Sequence, residues 1–75
     1  MREITPAQRR VYDAIFDFEE KHGRRPILQD LADALGMRSK SNIWAHLRKL
    51  ERAGWIKLEY RHVVTIQSLR PKMAA

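Results

Sequence analysis

Residues 38–56, RSKSNIWAHLRKLERAGWI, hold five cations, Arg38, Lys40, Arg48, Lys49 and Arg52, against one acid, Glu51. A guanidinium presents a planar fork of donors that can pair two acceptors at once, whereas an ammonium is a point charge on a flexible stem. Ser39, Ser41 and Asn42 add short side chains that both donate and accept hydrogen bonds. Together these groups suit a polyanion that displays a fixed array of acceptors and donors. The competing account is a helix face that is basic only in order to be solvated.

The apolar residues between the cations decide which way the cations point. Ile43, Leu47 and Leu50 recur at helical spacing. With Ile43 at zero and about 100° per residue, Leu47 and Leu50 fall within roughly 40° of it, on a predicted core face. Ser41, Ala45, Arg48 and Arg52 fall between roughly 140° and 200°, with Asn42, Trp44 and Lys49 at the margins. The small Ala45 lets the backbone of such a helix approach a partner closely. A helix of this shape fits the DNA major groove, about 12 Å wide, where each base pair shows its own donor and acceptor pattern. Arg48 is then the candidate for a guanine contact, Lys40, Lys49 and Arg52 are candidates for phosphate, and Arg38 belongs to the same surface. Trp44 has two readings, contact with a thymine methyl or sugar edge, or cover for the core.

Other chemistries lack their residues. The chain has no cysteine, so it has no thiolate nucleophile, no disulfide and no cysteine-ligated zinc. His22, His46 and His62 lie far apart, none beside a second ligand at metal-site spacing. Asp13 and Asp17 stand one turn apart, a pattern typical of a solvated helix face. No glycine-rich phosphate loop or nucleophile elbow is present, so neither an enzyme nor a cofactor is expected.

Charge and length agree with a polyanion partner. Residues 1–35 carry six basic and seven acidic side chains, residues 36–75 nine and two, so the net +6 comes from the second part of the chain. Seventy-five residues make one small domain, with a core expected over about 4–67 and a basic tail over 68–75. No run approaches a membrane span, and MREITPAQRR lacks the apolar stretch of a signal peptide, so the expected compartment is the cytoplasm, in association with the nucleoid.

Three helices and a hairpin must position the basic segment. In TPAQ, Thr5 is a predicted N-cap, Pro6 the first helical residue and Gln8 the partner of a capping box. Val11, Ile15 and Phe18 form the stripe of the first helix, Tyr12 and Ala14 flank it, Phe16 marks its boundary, and Gly23 ends it. Leu28, Leu31, Ala32 and Leu35 define a second helix between Pro26 and Gly36. Gly36 is predicted to be left-handed, so that a β-branched replacement should unfold or loosen the domain, and Ser39 or Ser41 caps the third helix. Two helices joined by a tight glycine turn make a helix-turn-helix pattern. WIKLE and VVTIQ then read as two strands of a hairpin around Tyr60, Arg61 and His62.

TPAQRRVYDAIFDF, GRRP, LADALGM, the basic segment with its RS.SN....HL..L...G.I pattern, and the hairpin together resemble the amino-terminal DNA-binding domain of the LexA repressor family, over roughly residues 4–67. That resemblance implies an α+β, mainly α, winged helix-turn-helix fold, and a transcriptional regulator that inserts its third helix into the major groove of double-stranded DNA. It places Ser39, Ser41, Asn42, Trp44 and Ala45 toward the bases, His46 on the recognition helix, and Arg61 with His62 on a wing along the phosphate backbone. The chain departs from the family pattern at Ile27, where a capping Ser or Thr is usual, at Trp44, where the residue is usually smaller or charged, and in a short wing without glycine. The serine and lysine pair of the family's self-cleaving domain has no counterpart here, so a stand-alone module without self-cleavage is expected. One such module buries about 600 to 1,000 Å² on DNA, which points to two copies or a partner protein on the site. The alternative is a winged-helix protein-interaction module that meets an acidic partner, with Trp44 and Phe16 as anchors.

Overall fold

The computed structural model describes residues 3–60 and 62–69. Helix α1 spans Pro6–His22 and begins on a reciprocal cap: the Gln8 N–H donates to Thr5 Oγ1 at 3.1 Å, and the Thr5 N–H donates to Gln8 Oε1 at 3.0 Å. Two backbone donors that no helical carbonyl can reach are thereby satisfied. Gly23, left-handed at φ 66°, closes the helix.

Helix α2, Leu28–Leu35, starts without a side-chain acceptor at its N-cap, because Ile27 has none to offer. Asp30 compensates from inside the first turn: its carboxylate accepts the Ile27 N–H at 2.9 Å and is braced by Arg24 at 3.2 Å. Ile27 serves a different purpose. It bridges Thr65 in antiparallel fashion, and the neighbouring Pro26 carbonyl accepts the Ile66 N–H at 3.0 Å. This strand-like segment, which the sequence reading did not anticipate, docks the hairpin beside α2.

The turn after α2 sets the angle of the next helix. Gly36 takes φ 65°, its N–H reaches the Asp33 carbonyl and the Met37 N–H reaches the Ala32 carbonyl at 3.1 Å, a paired closure that requires the left-handed residue. Ser39, not Ser41, then caps α3, Lys40–Arg52, with Oγ accepting the Asn42 N–H at 3.3 Å.

Strands β1, Ile56–Tyr60, and β2, Val64–Ser68, pair antiparallel, with Leu58 opposite Ile66 and Tyr60 opposite Val64. Both strands start one residue later than WIKLE and VVTIQ suggest. Ile56, Leu58 and Ile66 must all face the helices, and that burial fixes the register. Tyr60 therefore belongs to a strand and not to the turn. Trp55 stays outside the hairpin, edge-on to Tyr12 at 5.1 Å, and Val63 stands exposed in the loop. β2 also takes in Ser68, and the Leu69 N–H bonds the Trp55 carbonyl at 2.9 Å, so the hairpin extends into the segment expected as tail.

The core combines Val11, Tyr12 and Ile15 of α1, Leu31 and Ala32 of α2, Ile43, Leu47 and Leu50 of α3, and Ile56, Leu58 and Ile66 of the hairpin. Tyr12, expected at its flank, is inside it. Phe18, expected on the α1 stripe, is only half-buried. It lies near the end of the helix, past the last core layer, where it packs on His22 and carries the Arg24 guanidinium 4.8 Å above its ring. Glu19 accepts from both the backbone N–H and the hydroxyl of Ser68, and Arg25 pairs with Glu59, so α1 and the segment after it hold the hairpin by polar contacts.

Candidate nucleic-acid interface

Helix α3 is fixed from within. Ile43, Leu47 and Leu50 have 0% exposure, and at about 100° per residue that burial dictates what the other side presents. Ser41, Asn42, Ala45, Arg48, Lys49 and Arg52 are all exposed there, and Arg38, Ser39 and Lys40 are exposed at its start. Ser39 accepts from Asn42 as a cap, which leaves its hydroxyl proton to donate outward. The small Ala45 stands next to the longer side chains, so a partner can come close to the helix axis at that turn.

What sets this face apart is how many unpaired cations it gathers, since among the described residues Arg10, Lys21 and Lys57 are also outside any ion pair but stand scattered on α1 and β1. Among the described residues, none of Arg38, Lys40, Arg48, Lys49 and Arg52 is held in an ion pair, while Arg9, Arg24 and Arg25 pair with Asp13, Asp30 and Glu59. Lys49 and Arg52 stand in the last turn of α3, where a cation also offsets the helix dipole. That use stabilises the helix without neutralising the charge. An unpaired cationic face concentrates a field that a polyanion can use, and the positive end of the α3 dipole adds to it at Lys40.

Two residues of the recognition segment turn elsewhere. His46 is half-buried and lines a groove with Ala7, Arg10, Val11, Leu35 and Met37, on the α1 side of the helix. Trp44 is half-buried against the core, and its indole meets the Tyr60 ring edge-on, centroids 6.4 Å apart and planes at 82°. Of its two readings, core cover is the contact observed within the chain. On the hairpin loop, His62 is exposed, and Arg61 lies outside the described residues. Tyr60, 61% exposed, borders this surface and was not singled out from sequence. The alternation Ile56, Leu58, Tyr60 was the available signal, since it puts all three on one strand face.

Three helices, a glycine turn between the second and third, a two-stranded wing, and an unneutralised basic face on the third helix define a winged helix-turn-helix module. The chain belongs to the LexA DNA-binding domain family, whose model matches residues 1–62. It is 33% identical over 69 residues to a LexA repressor of Koribacter versatilis, 32% over 68 residues to that of Syntrophobacter fumaroxidans, and 40% over 55 residues to that of Alcanivorax borkumensis. Those alignments cover 92%, 91% and 73% of this chain. The chain spans about a third of the length of the first two relatives, 33% of each, and 27% of the third. Among the described residues, no helix is long and apolar enough to cross a membrane.

Proposed function

We propose that this chain binds double-stranded DNA sequence-specifically and serves transcription regulation, with α3 in the major groove and the wing along the phosphate backbone. One observation carries the reading: α3 buries Ile43, Leu47 and Leu50 completely and turns Arg48, Lys49 and Arg52 outward without carboxylate partners among the described residues. Family membership supports it, because the matching model describes a DNA-binding domain and the relatives are named repressors.

Within this reading Arg48, central on the exposed face, pairs with the two acceptors of a guanine edge, and Ser41, Asn42 and Ala45 line the approach to neighbouring bases. Trp44 lends an apolar edge at the margin of that face. Ser39 donates through its hydroxyl at the start of α3, while Arg38, Lys40, Lys49 and Arg52 hold phosphates, and Arg61 and His62 do so from the wing. The chain acts by binding and not by catalysis, in the cytoplasm with the nucleoid. The folded unit is one domain from about residue 4 to the end of the hairpin, and two copies, or one copy and a partner protein, share a site.

The rival reading, an acidic protein partner anchored on Trp44 and Phe16, has less to work with. Both rings are half-buried, Trp44 against the core and Tyr60, and Phe16 is likewise engaged within the chain. Selection from a random duplex library, followed by titrations at several salt concentrations, tests the proposal. The expected result is one enriched motif bound with a steep salt dependence. An unenriched library, together with an acidic protein ligand that duplex DNA fails to displace, would overturn it.

A further inference from the structure

The hairpin is attached unevenly. On the side of α1 and the segment that follows it, three polar ties hold the two strands: Glu19 to Ser68, Arg25 to Glu59, and the Pro26 carbonyl to the Ile66 N–H in the bridge that sets Ile27 opposite Thr65. On the α3 side the strand face that packs inward runs Ile56, Leu58, Tyr60, and the core ends after Leu58. Tyr60 continues that face into solvent with 61% of its surface exposed, where its ring meets the indole of Trp44. Trp44 follows the fully buried Ile43, so its position is set by the core, and Tyr60 precedes the loop that carries His62.

We infer that Tyr60 is a positioning residue for DNA recognition, its ring bracing the wing against Trp44 of α3 so that wing and recognition helix meet one duplex at a set angle. The inference rests on the DNA-binding reading and adds to it a physical link between its two contact elements. An edge-to-face pair has a preferred geometry that simple apolar contact lacks, because the positive ring edge seeks the negative ring face. A two-stranded hairpin twists easily, and its tip moves most. A directional contact at the last paired residue before the loop is therefore well placed to limit that motion. The hydroxyl of Tyr60 has no part in the brace, which separates this role from a direct phosphate contact.

Four variants test it: Tyr60→Ala, Tyr60→Phe, His62→Ala, and Tyr60→Ala with His62→Ala. Because Tyr60 is largely exposed and the ring pair is the contact it gives up, Tyr60→Ala should stay folded with a thermal midpoint lower by several degrees. Its tryptophan emission, without DNA, should shift to the red, and the shift should vanish in a Trp44→Phe background. Duplex affinity should fall roughly two- to tenfold for Tyr60→Ala and hold within about twofold for Tyr60→Phe. The loss caused by His62→Ala should shrink when Tyr60 is already Ala, since an unbraced wing no longer places His62. Additive losses in that cycle, or a Tyr60→Phe variant as weak as Tyr60→Ala, would overturn the brace while DNA binding stands. Absence of duplex binding by the unmodified chain would sink the DNA reading, and this role with it, and shows itself before any variant is made.

Discussion

Arg9, Arg24 and Arg25, on α1 and the segment after it, and Arg48, Lys49 and Arg52, on α3, carry the same charge under opposite conditions. The first group is consumed by the fold. Arg9 bonds Asp13 at 3.1 Å and lies over the rings of Tyr12 and Trp55, Arg24 bonds Asp30 and covers Phe18, and Arg25 pairs with Glu59. The second group stands on a helix whose inner side is buried and whose outer side has no carboxylate partner among the described residues. A cation's role here follows from what its neighbours leave unsatisfied, and only the second group has charge to spare for a partner.

The strongest way to break that comparison is to remove the floor beneath the second group. Leu47→Ala should cost about 2 to 5 kcal/mol of stability, because it empties a fully buried site in a small domain, and duplex binding should be lost with the fold. Urea unfolding checks this, and an unchanged midpoint would mean that α3 is not held by its core stripe.

Arg48→Ala should leave stability within about 0.5 kcal/mol yet cost roughly 1 to 3 kcal/mol of binding to the selected site, with much less effect on random duplex. Lys49→Ala should weaken both DNAs nearly equally and make the plot of log affinity against log salt shallower by roughly one unit. Titrations of both variants against both duplexes decide whether the exposed face reads bases or only holds phosphate. Equal losses on the two DNAs would demote Arg48 to a backbone contact.

Gly36→Ala should cost about 1 to 2 kcal/mol, since φ 65° strains any residue with a Cβ. An added Cβ would meet nothing within 4 Å, so the penalty is conformational and involves no clash. Gly36→Val, expected from sequence to unfold or loosen the domain, adds β-branch strain to the same cost. Thermal melts of the two variants, with the larger drop expected for Val, measure the turn's contribution.

Arg9→Ala should have the smallest effect. The exposed Arg9–Asp13 pair and its ring contacts contribute roughly 0.2 to 1 kcal/mol, and duplex affinity should stay within about twofold. A large loss of binding would show that α1 joins the interface and would dissolve the contrast between the two groups.

The elements with local causes were readable along the chain. Thr5, Pro6 and Gln8 start α1, Gly36 stops α2, and Ile43, Leu47 and Leu50 orient α3, because caps, left-handed turns and helical periodicity depend on residues a few positions apart. The exposed positions of Ser41, Asn42, Arg48, Lys49 and Arg52 followed from the same periodicity. Phe18 shows where such reading stops: its place on the wheel is correct, but a helical wheel has no depth, and the core ends before that turn.

The amino-acid order by itself determined the helices, the turn between α2 and α3, and which side of α3 carries charge, since each is settled by contacts within one or two helical turns. Only the tertiary structure decided that Ile27, at the N-cap of α2, would bridge Thr65, that Glu19 would hold Ser68 from 49 residues away, and that Trp44 would meet Tyr60. Those pairings join segments whose separation in sequence carries no periodic signal. They exist because the hairpin must bury Ile56, Leu58 and Ile66 against the helices, and that single packing solution brings the other groups together.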